Sequence, residues 1–424
     1  MTTTTVEAST RTPRRLRPPR RPRLLHEDRL VRRLAGITLV NTLGNGLSMT
    51  LTVLFFTRVL GFGAGRVGLA LTAAGLCGVL AGVPAGRAAD RYGSKPVLIA
   101  LIAVEAVGTA SYTLVGSFPV LVVLACLVAT ADRGSGAVRN ALYAEVLPPE
   151  KRVEGRAYLR SVTNVGIGVG TCLAALALQA DTRAAYSVAI LADAFSYLVV
   201  IALFAVVLPS PPKRADRAAA EAAGPNPALR NLPFLAVTAL NGLLCLQFSM
   251  IEVGVPLWLV RETSAPRWMV SGSMLVNTVL VVLLQVRATH GTERVGTAAR
   301  ACGRGGLLLA GSCAVLALAH GLPGWVAAVV LAAGVGLQAL GEVVSQAGGW
   351  ALSYALAPEG AHGAYQGVFN TGQAAAMMLG PAVVAWLVVG HGILGWALLA
   401  TLFTVGGLAM APTVRWARRQ ELAA

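Results

Sequence analysis

Charge is scarce in this chain of 424 residues: only 13% of its side chains are Asp, Glu, Lys or Arg, against about 25% in a soluble domain. Lysine is nearly missing, standing only at Lys95, Lys151 and Lys213, so the formal net charge of +16 is carried by arginine. The chain has no G-x-x-x-x-G-K-[ST], which excludes a P-loop ATP motor. It has no H-E-x-x-H and no G-x-S-x-G, which removes two common hydrolase signatures. The six cysteines, Cys77, Cys126, Cys172, Cys245, Cys302 and Cys313, form no C-x-x-C. Neither a metal centre nor a disulfide framework is therefore expected, and they read as small buried side chains. No cofactor is implied, and no catalytic constellation that would make the chain an enzyme.

What the chain has in quantity is apolar sequence: 55% of its residues are hydrophobic and the mean hydropathy is +0.67. A bilayer core of about 30 Å needs about 20 apolar residues per helix. The runs are long enough for helices and too continuous for barrel strands, which alternate. They place helices at about 34–60, 67–89, 96–115, from Phe118 onward, 157–178 and 185–207. A second set lies at about 233–260, 269–286, 305–318, 325–354, 364–389 and 393–410. The expected organisation is a disordered basic tail (1–33), six helices (34–208), a polar linker (209–232), six more helices (233–412) and a short tail (413–424). Residues 1–33 hold no apolar core and are not a signal peptide. Ten arginines lie between Arg11 and Arg33. In front of a membrane helix they suit anionic lipid on the cytoplasmic face rather than nucleic acid.

The most informative stretch runs from Gly82 to Leu98, GVPAGRAADRYGSKPVL, between the second and third apolar runs. Gly86, Asp90, Arg91, Gly93 and Lys95 stand at the spacing G-x-x-x-D-R-x-G-x-K. Gly82 and Gly86 let helix backbones approach closely. Gly93 permits a turn that other residues resist. Asp90 suits either an arginine or the positive end of a neighbouring helix. The motif resembles the signature loop of the major facilitator superfamily of transporters. That resemblance implies a conformational latch here, which Arg139 and Glu145, after the fourth helix, could join, with Glu145 meeting Arg91. It also implies an all-α integral membrane fold: twelve transmembrane helices in two pseudo-symmetric six-helix bundles.

Internal echoes agree with a duplication. Glu293-Arg294-Val295-Gly296-Thr297 follows Asp90-Arg91-Tyr92-Gly93-Ser94, Pro358-Glu359 follows Pro149-Glu150, and Ala364-Tyr365 follows Ala157-Tyr158, at offsets of 203, 209 and 207 residues. The loops after odd-numbered helices hold few cations, namely Arg58, Arg66, Arg183, Arg261 and Arg267. The opposite side carries the basic tail, Arg87, Arg91, Lys95, Lys151, Arg152 and Arg156, among others. Both termini are therefore expected in the cytoplasm, in the plasma membrane.

Polar residues inside apolar helices mark the candidate pathway. Asn41, Asn45, Ser48 and Thr52 recur at helical spacing on one face, which suits either a wet cavity or hydrogen bonds between helices. Glu105, Asp132, Asp193, Glu252 and Glu342 each carry an insertion cost of about 2.5–3.5 kcal/mol at a helix centre, so each should face a partner, a passage or a proton. Arg133, deep in the fourth helix, needs an anion or polar partner. Asp132 adjoins it, but neighbours on a helix point about 100° apart, so Glu105 or Asp193 could be the partner instead. Asn41, Asn45, Arg133, Glu252 and Glu342 are expected to line the route. Gly166, Gly168 and Gly170 suit close helix packing. They lack the Gly-Pro step that the resemblance to drug–proton antiporters would imply. That resemblance implies a monomeric, proton-coupled exporter of a small organic molecule, a drug or natural product. The alternatives are uptake of a metabolite or sugar, with Arg133 holding an anionic substrate, and a non-transporting membrane sensor.

Overall fold

The computed structural model describes residues 27–180, 182–207 and 227–423. The basic tail as far as residue 26 and the linker at 209–226 lie outside them. Among the described residues there are helices and no strand. The first half comprises α1 (Arg29–Val59), α2 (Ala64–Tyr92), α3 (Ser94–Ser111), α4 (Phe118–Val146), α5 (Pro149–Ala180) and α6 (Arg183–Val207). The second half holds α7 (Leu232–Glu262), α8 (Met269–Leu284), α9 (Val295–Ala317) and α10 (Gly324–Ala355). Its longest helix, His362–Leu408, is broken at Gly392 (φ 56, ψ −127) into residues 362–391 (α11) and 393–408 (α12). A closing helix, Met410–Ala423 (α13), follows.

Eight continuous stretches are long and apolar enough to cross a membrane, and the last of them contains both α11 and α12. With α5, α8 and α9, which are shorter or more charged, the passes number twelve. Large apolar side chains face outward along them, among them Leu80, Val107, Leu275 and Trp325. A soluble monomer does not expose such a belt; lipid covers it here.

The packing repeats between the halves. In the first, α1 packs on α5 and α6, and α3 on α4 and α6; α2 packs on α4. In the second, α7 packs on the α11–α12 helix, α9 on α10 and on that same helix, and α8 on α10. The halves meet where α2 lies against α11 and α5 against α8, which a pseudo-two-fold axis relates. Close packing uses glycine. A methyl group at Gly166 would strike Thr42, and one at Gly170 the backbone of Leu43 and Leu47, whereas Gly168 faces open space.

Three boundaries depart from the apolar runs. Arg29, Arg32 and Arg33 belong to α1, not to a tail, because Asp28 caps the helix by accepting from the Leu30 N–H at 2.9 Å. Helix α9 begins at Val295 rather than near 305, since Ala298, Ala299 and Cys302 are buried while Arg300 and Arg304 point away. Residues 413–423 are helical too. Met410, Val414 and Ala417, at helical spacing, are buried in the second half's core, and Arg415, Arg418 and Arg419 are exposed. Of the cysteines, Cys245, Cys302 and Cys313 are buried, but Cys172 is exposed.

Candidate functional site

The two halves close against each other at the end where α1 begins, α2 ends and α11 begins. A Cβ at Gly86 would collide with the Gly363 carbonyl, and one at Gly82 would lie 2.8 Å from the Gly367 carbonyl, so only glycine lets α2 and α11 approach this far. Asp90, at the end of α2, accepts from the backbone N–H groups of Gly363 (2.8 Å) and Ala364 (2.6 Å) in the first turn of α11. That turn has no cap from its own N-cap residue, Ala361. The carboxylate therefore caps a helix of the other half, where the helix dipole favours negative charge. Further in, Asn140 donates to Asn370 at 3.1 Å and Tyr354 donates to the Asn140 carbonyl at 3.4 Å.

The rest of the signature loop holds its own turn. Gly93 sits at φ 94 between α2 and α3. Arg91 lies over the Tyr92 ring at 5.4 Å, and Lys95 donates to the Ala205 carbonyl at 3.1 Å. Glu145 accepts from Ser94 at 2.7 Å. Arg139 and Glu145 do not follow the fourth helix: both lie within α4, which runs on to Val146.

Above this seam lies a cavity of about 310 Å³ between the halves, at the lower end of the range for small-molecule sites. Of the residues expected in the pathway, Asp132 and Arg133 line it, together with Arg139. Gly78 on α2 makes room for Arg133, whose Cγ would lie 3.0 Å from a Cβ there. Arg133 meets its neighbour after all: Nε is 3.7 Å from Asp132 Oδ2, with both side chains about half exposed. The long arginine side chain folds back towards the short aspartate in the open space they share, which overcomes the angle between their helix positions.

The wall also carries two arginines that the apolar-run reading leaves aside, Arg156 and Arg160 of α5. Arg156 is buried, its guanidinium 4.9 Å from the Trp350 ring centroid and 5.7 Å from that of Tyr354 on α10. Its Nη1 has no hydrogen-bond partner. Arg160 lies 5.6 Å from the centroid of Phe248 on α7. Neither makes an ion pair among the described residues. Burying an ion costs several kcal/mol, and a ring face returns only about 0.5–2 kcal/mol. The apolar run starts at Ala157, which leaves Arg156 in a loop; the helix starts at Pro149. The readable signal was the four-residue recurrence of Arg152, Arg156 and Arg160, which puts all three on one stripe.

The other acids lie behind the wall, in two groups. In the first half, Asp193 accepts from Ser48, and Asn45 accepts from the Tyr197 hydroxyl at 2.9 Å. Glu105 is buried on α3 within electrostatic reach of Asp132, Arg139 and Asp193. Glu105 Oε1, Asp193 Oδ1 and Asn41 Nδ2 have no hydrogen-bond partner. The polar face of α1 thus turns towards α6 rather than the cavity. In the second half, Glu342 accepts from Asn277 of α8 and from Gln338, each at 3.1 Å, and Gln338 also donates to Gln247 of α7. Glu252 is exposed on a π-helical turn of α7, Met250–Gly254. Pro256 explains that turn: it offers no N–H to the Glu252 carbonyl, and the helix widens. Arg160 is the charge that acts on Glu252. No group of His, Cys, Asp and Glu suited to a metal ion occurs among the described residues.

A family model described as Major Facilitator Superfamily matches residues 34–381. No curated protein matches the chain in sequence. Among solved structures, a bacterial homologue of the iron transporter ferroportin in its outward-facing state is similar at a TM-score of 0.73 and 13% identity, covering 92% of this chain and 100% of that one. The human organic anion transporter MFSD10 has a TM-score of 0.66 and 17% identity, covering 90% and 99%. The fucose:proton symporter FucP of E. coli has a TM-score of 0.62 and 14% identity, covering 91% and 98%. At these identities the likeness is one of fold.

Proposed function

The chain belongs to the major facilitator superfamily of transporters, and from that premise we propose that it exports a small organic molecule in exchange for protons. The observation that carries this reading is the cavity between two similarly packed halves, sealed at one end by Asp90, Asn140, Asn370 and Tyr354. Contacts at that end must part, and the opposite end must close, for the site to change sides. Gly82, Gly86, Asp90 and Gly93 act as the latch of that seam, with Arg91, Lys95 and Glu145 holding its turn. Glu105, Asp193 and Glu342 are the proton carriers of the proposal. Each is a buried carboxyl close to the cavity wall, and two of them keep an oxygen free of any partner.

The cation excess beside the seam supports a reading with both termini in the cytoplasm. The cavity therefore opens towards the outside, and the membrane is the plasma membrane. The protein works as a monomer; its basic tail lies against anionic lipid and binds no nucleic acid. The test is flux in proteoliposomes across an imposed pH gradient, with a panel of small organic compounds. Movement of a compound against its own gradient, abolished when the pH gradient collapses, supports the reading. Lipid vesicles that carry correctly folded protein and move nothing in the panel would overturn it.

A further inference from the structure

The cavity wall presents four arginines, Arg133, Arg139, Arg156 and Arg160, and a single carboxylate, Asp132. Asp132 is engaged by Arg133, and Arg139 has Glu105 within reach. Of the two arginines of α5, Arg156 lies against the Trp350 and Tyr354 rings with the Tyr354 hydroxyl beside it, and Arg160 lies against Phe248 with Glu252 and Glu342 within electrostatic reach; neither arginine makes an ion pair among the described residues. They stand four residues apart, so they share one side of the helix, about 6 Å apart along its axis. Arg156 lies seven residues from the start of α5, or about 10 Å, which puts it at the floor of the cavity beside the seam. It is buried, yet Nη1 has no acceptor. The facing wall on α11 is apolar at Ala374 and Met377.

We infer that the cavity takes an organic anion, a carboxylate, sulfonate or phosphate on a small apolar body, whose charged group is held by Arg156 and Arg160. The inference rests on the transport reading of this same cavity. A guanidinium offers a planar fork that matches such oxyanions in pairs. Trp350 and Tyr354 keep the Arg156 fork flat and aimed, while Ala374 and Met377 receive the apolar body. A cationic or neutral ligand would leave the positive charge of the floor unanswered. An inside-negative membrane potential drives an anion outward, so export is the downhill direction for the charge.

The test uses the purified full chain in nanodiscs of zwitterionic lipid, so that no anionic headgroup competes. The probes are matched sets: benzoate, benzamide and benzyltrimethylammonium; naphthalene-2-sulfonate, its sulfonamide and naphthyltrimethylammonium; and phenyl phosphate. Binding is read by thermal shift and by tryptophan fluorescence, to which Trp350 contributes. The anion of at least one set is expected to bind about tenfold or more tightly than its neutral and cationic partners, and Arg156→Gln and Arg160→Gln each to remove about tenfold of that affinity. Arg156→Lys keeps the charge without the fork and should fall between. Should Arg156→Gln fail to fold, Arg160→Gln and Arg156→Lys carry the test. Equal or tighter binding of the cations or amides overturns the inference. So does the absence of anion binding up to about 10 mM, or an unchanged affinity in Arg160→Gln. Anion binding without flux would sink the transport reading and leave this one standing; flux confined to cations or neutral compounds would do the reverse.

Discussion

Asp90 and Gly363 join the two halves through one short hydrogen bond, 2.8 Å from the Gly363 N–H to a carboxylate oxygen, with a second at 2.6 Å from Ala364. A bond to a charged group contributes about 1.5–3 kcal/mol, and a shift of 1.4 kcal/mol changes an equilibrium about tenfold. Asp90→Ala is therefore expected to move the molecule away from the closed seam by about tenfold or more. Asp90→Asn, which keeps an acceptor, should do less. Spin labels at the exposed positions Tyr92 and Glu359 should report longer, broader distances in Asp90→Ala, with normal membrane insertion and slower transport. An unchanged distance distribution would show that Asp90 does not hold the seam.

The glycines divide into those with neighbours and those without. A methyl at Gly170 meets the α1 backbone, and one at Gly86 meets the α11 backbone; at Gly168 it meets nothing within 4 Å. Overpacking of this kind costs about 1–3 kcal/mol. Gly170→Ala should lower the melting temperature by several degrees, and Gly168→Ala should leave it unchanged or raise it slightly, through helix propensity. Gly86→Ala should lower stability less than Gly170→Ala but impair transport more, because its clash falls on a seam that has to open. Similar melting temperatures for Gly170→Ala and Gly168→Ala would contradict the close approach of α1 and α5.

Much of this architecture can be read from the chain because lipid imposes it. The apolar runs locate the spans, and the Gly86–Lys95 turn combines a positive-φ glycine with charges that only water or a helix end could satisfy. The runs fail where a helix carries charge. Arg156 on α5, Arg300 and Arg304 on α9 and Arg415 on α13 all lie in helical stretches that hydropathy begins too late or ends too soon, whereas Arg160 falls inside the apolar run from 157. That failure hides the cation-rich cavity floor, since an arginine at the edge of an apolar run reads as a loop. Side-chain direction is also invisible locally. Asn45 and Ser48 share a face with Asn41, but only the position of α6 decides that this face meets Tyr197 and Asp193 instead of the cavity.

Asp28 supplies a pH dependence outside the membrane. Its carboxyl accepts from Lys151 Nζ at 2.8 Å and from the Leu30 N–H at 2.9 Å. Those contacts, Lys151 first, hold it below the usual carboxylate range. A depressed folded-state pKa adds stability that is fully present above the unfolded value, about 3.9. That stability is lost as pH falls through the lower, folded value. Asp28→Asn keeps a good capping side chain and removes the charge. The wild type should melt slightly higher than Asp28→Asn from about pH 5 to 8, by the modest amount typical of an exposed ion pair, and the difference should vanish once pH has fallen below the depressed folded-state value. A difference that persists in acid would assign it to the cap instead.

Glu342 offers the sharpest separation of structure from coupling. Its carboxylate accepts from Asn277 and Gln338 at 3.1 Å each, deep between α7, α8 and α10. Glu342→Ala would leave one N–H of each amide without its acceptor, Asn277 still donating to Gln338 and Gln338 to Gln247, at up to about 1–3 kcal/mol apiece, and should lower yield and melting temperature. Glu342→Gln keeps an acceptor of the same shape and should fold nearly normally, but it can no longer take up and release a proton. If Glu342 carries protons, Glu342→Gln should exchange substrate across the membrane at close to the wild-type rate while losing any response to an imposed pH gradient. Glu105→Gln provides the matching experiment in the other half, where Oε1 has no partner to lose. The two variants can then be ranked. Whichever abolishes the pH response with exchange intact identifies the coupling carboxyl, and retention of a full pH response in both would remove these two acids from the proton path.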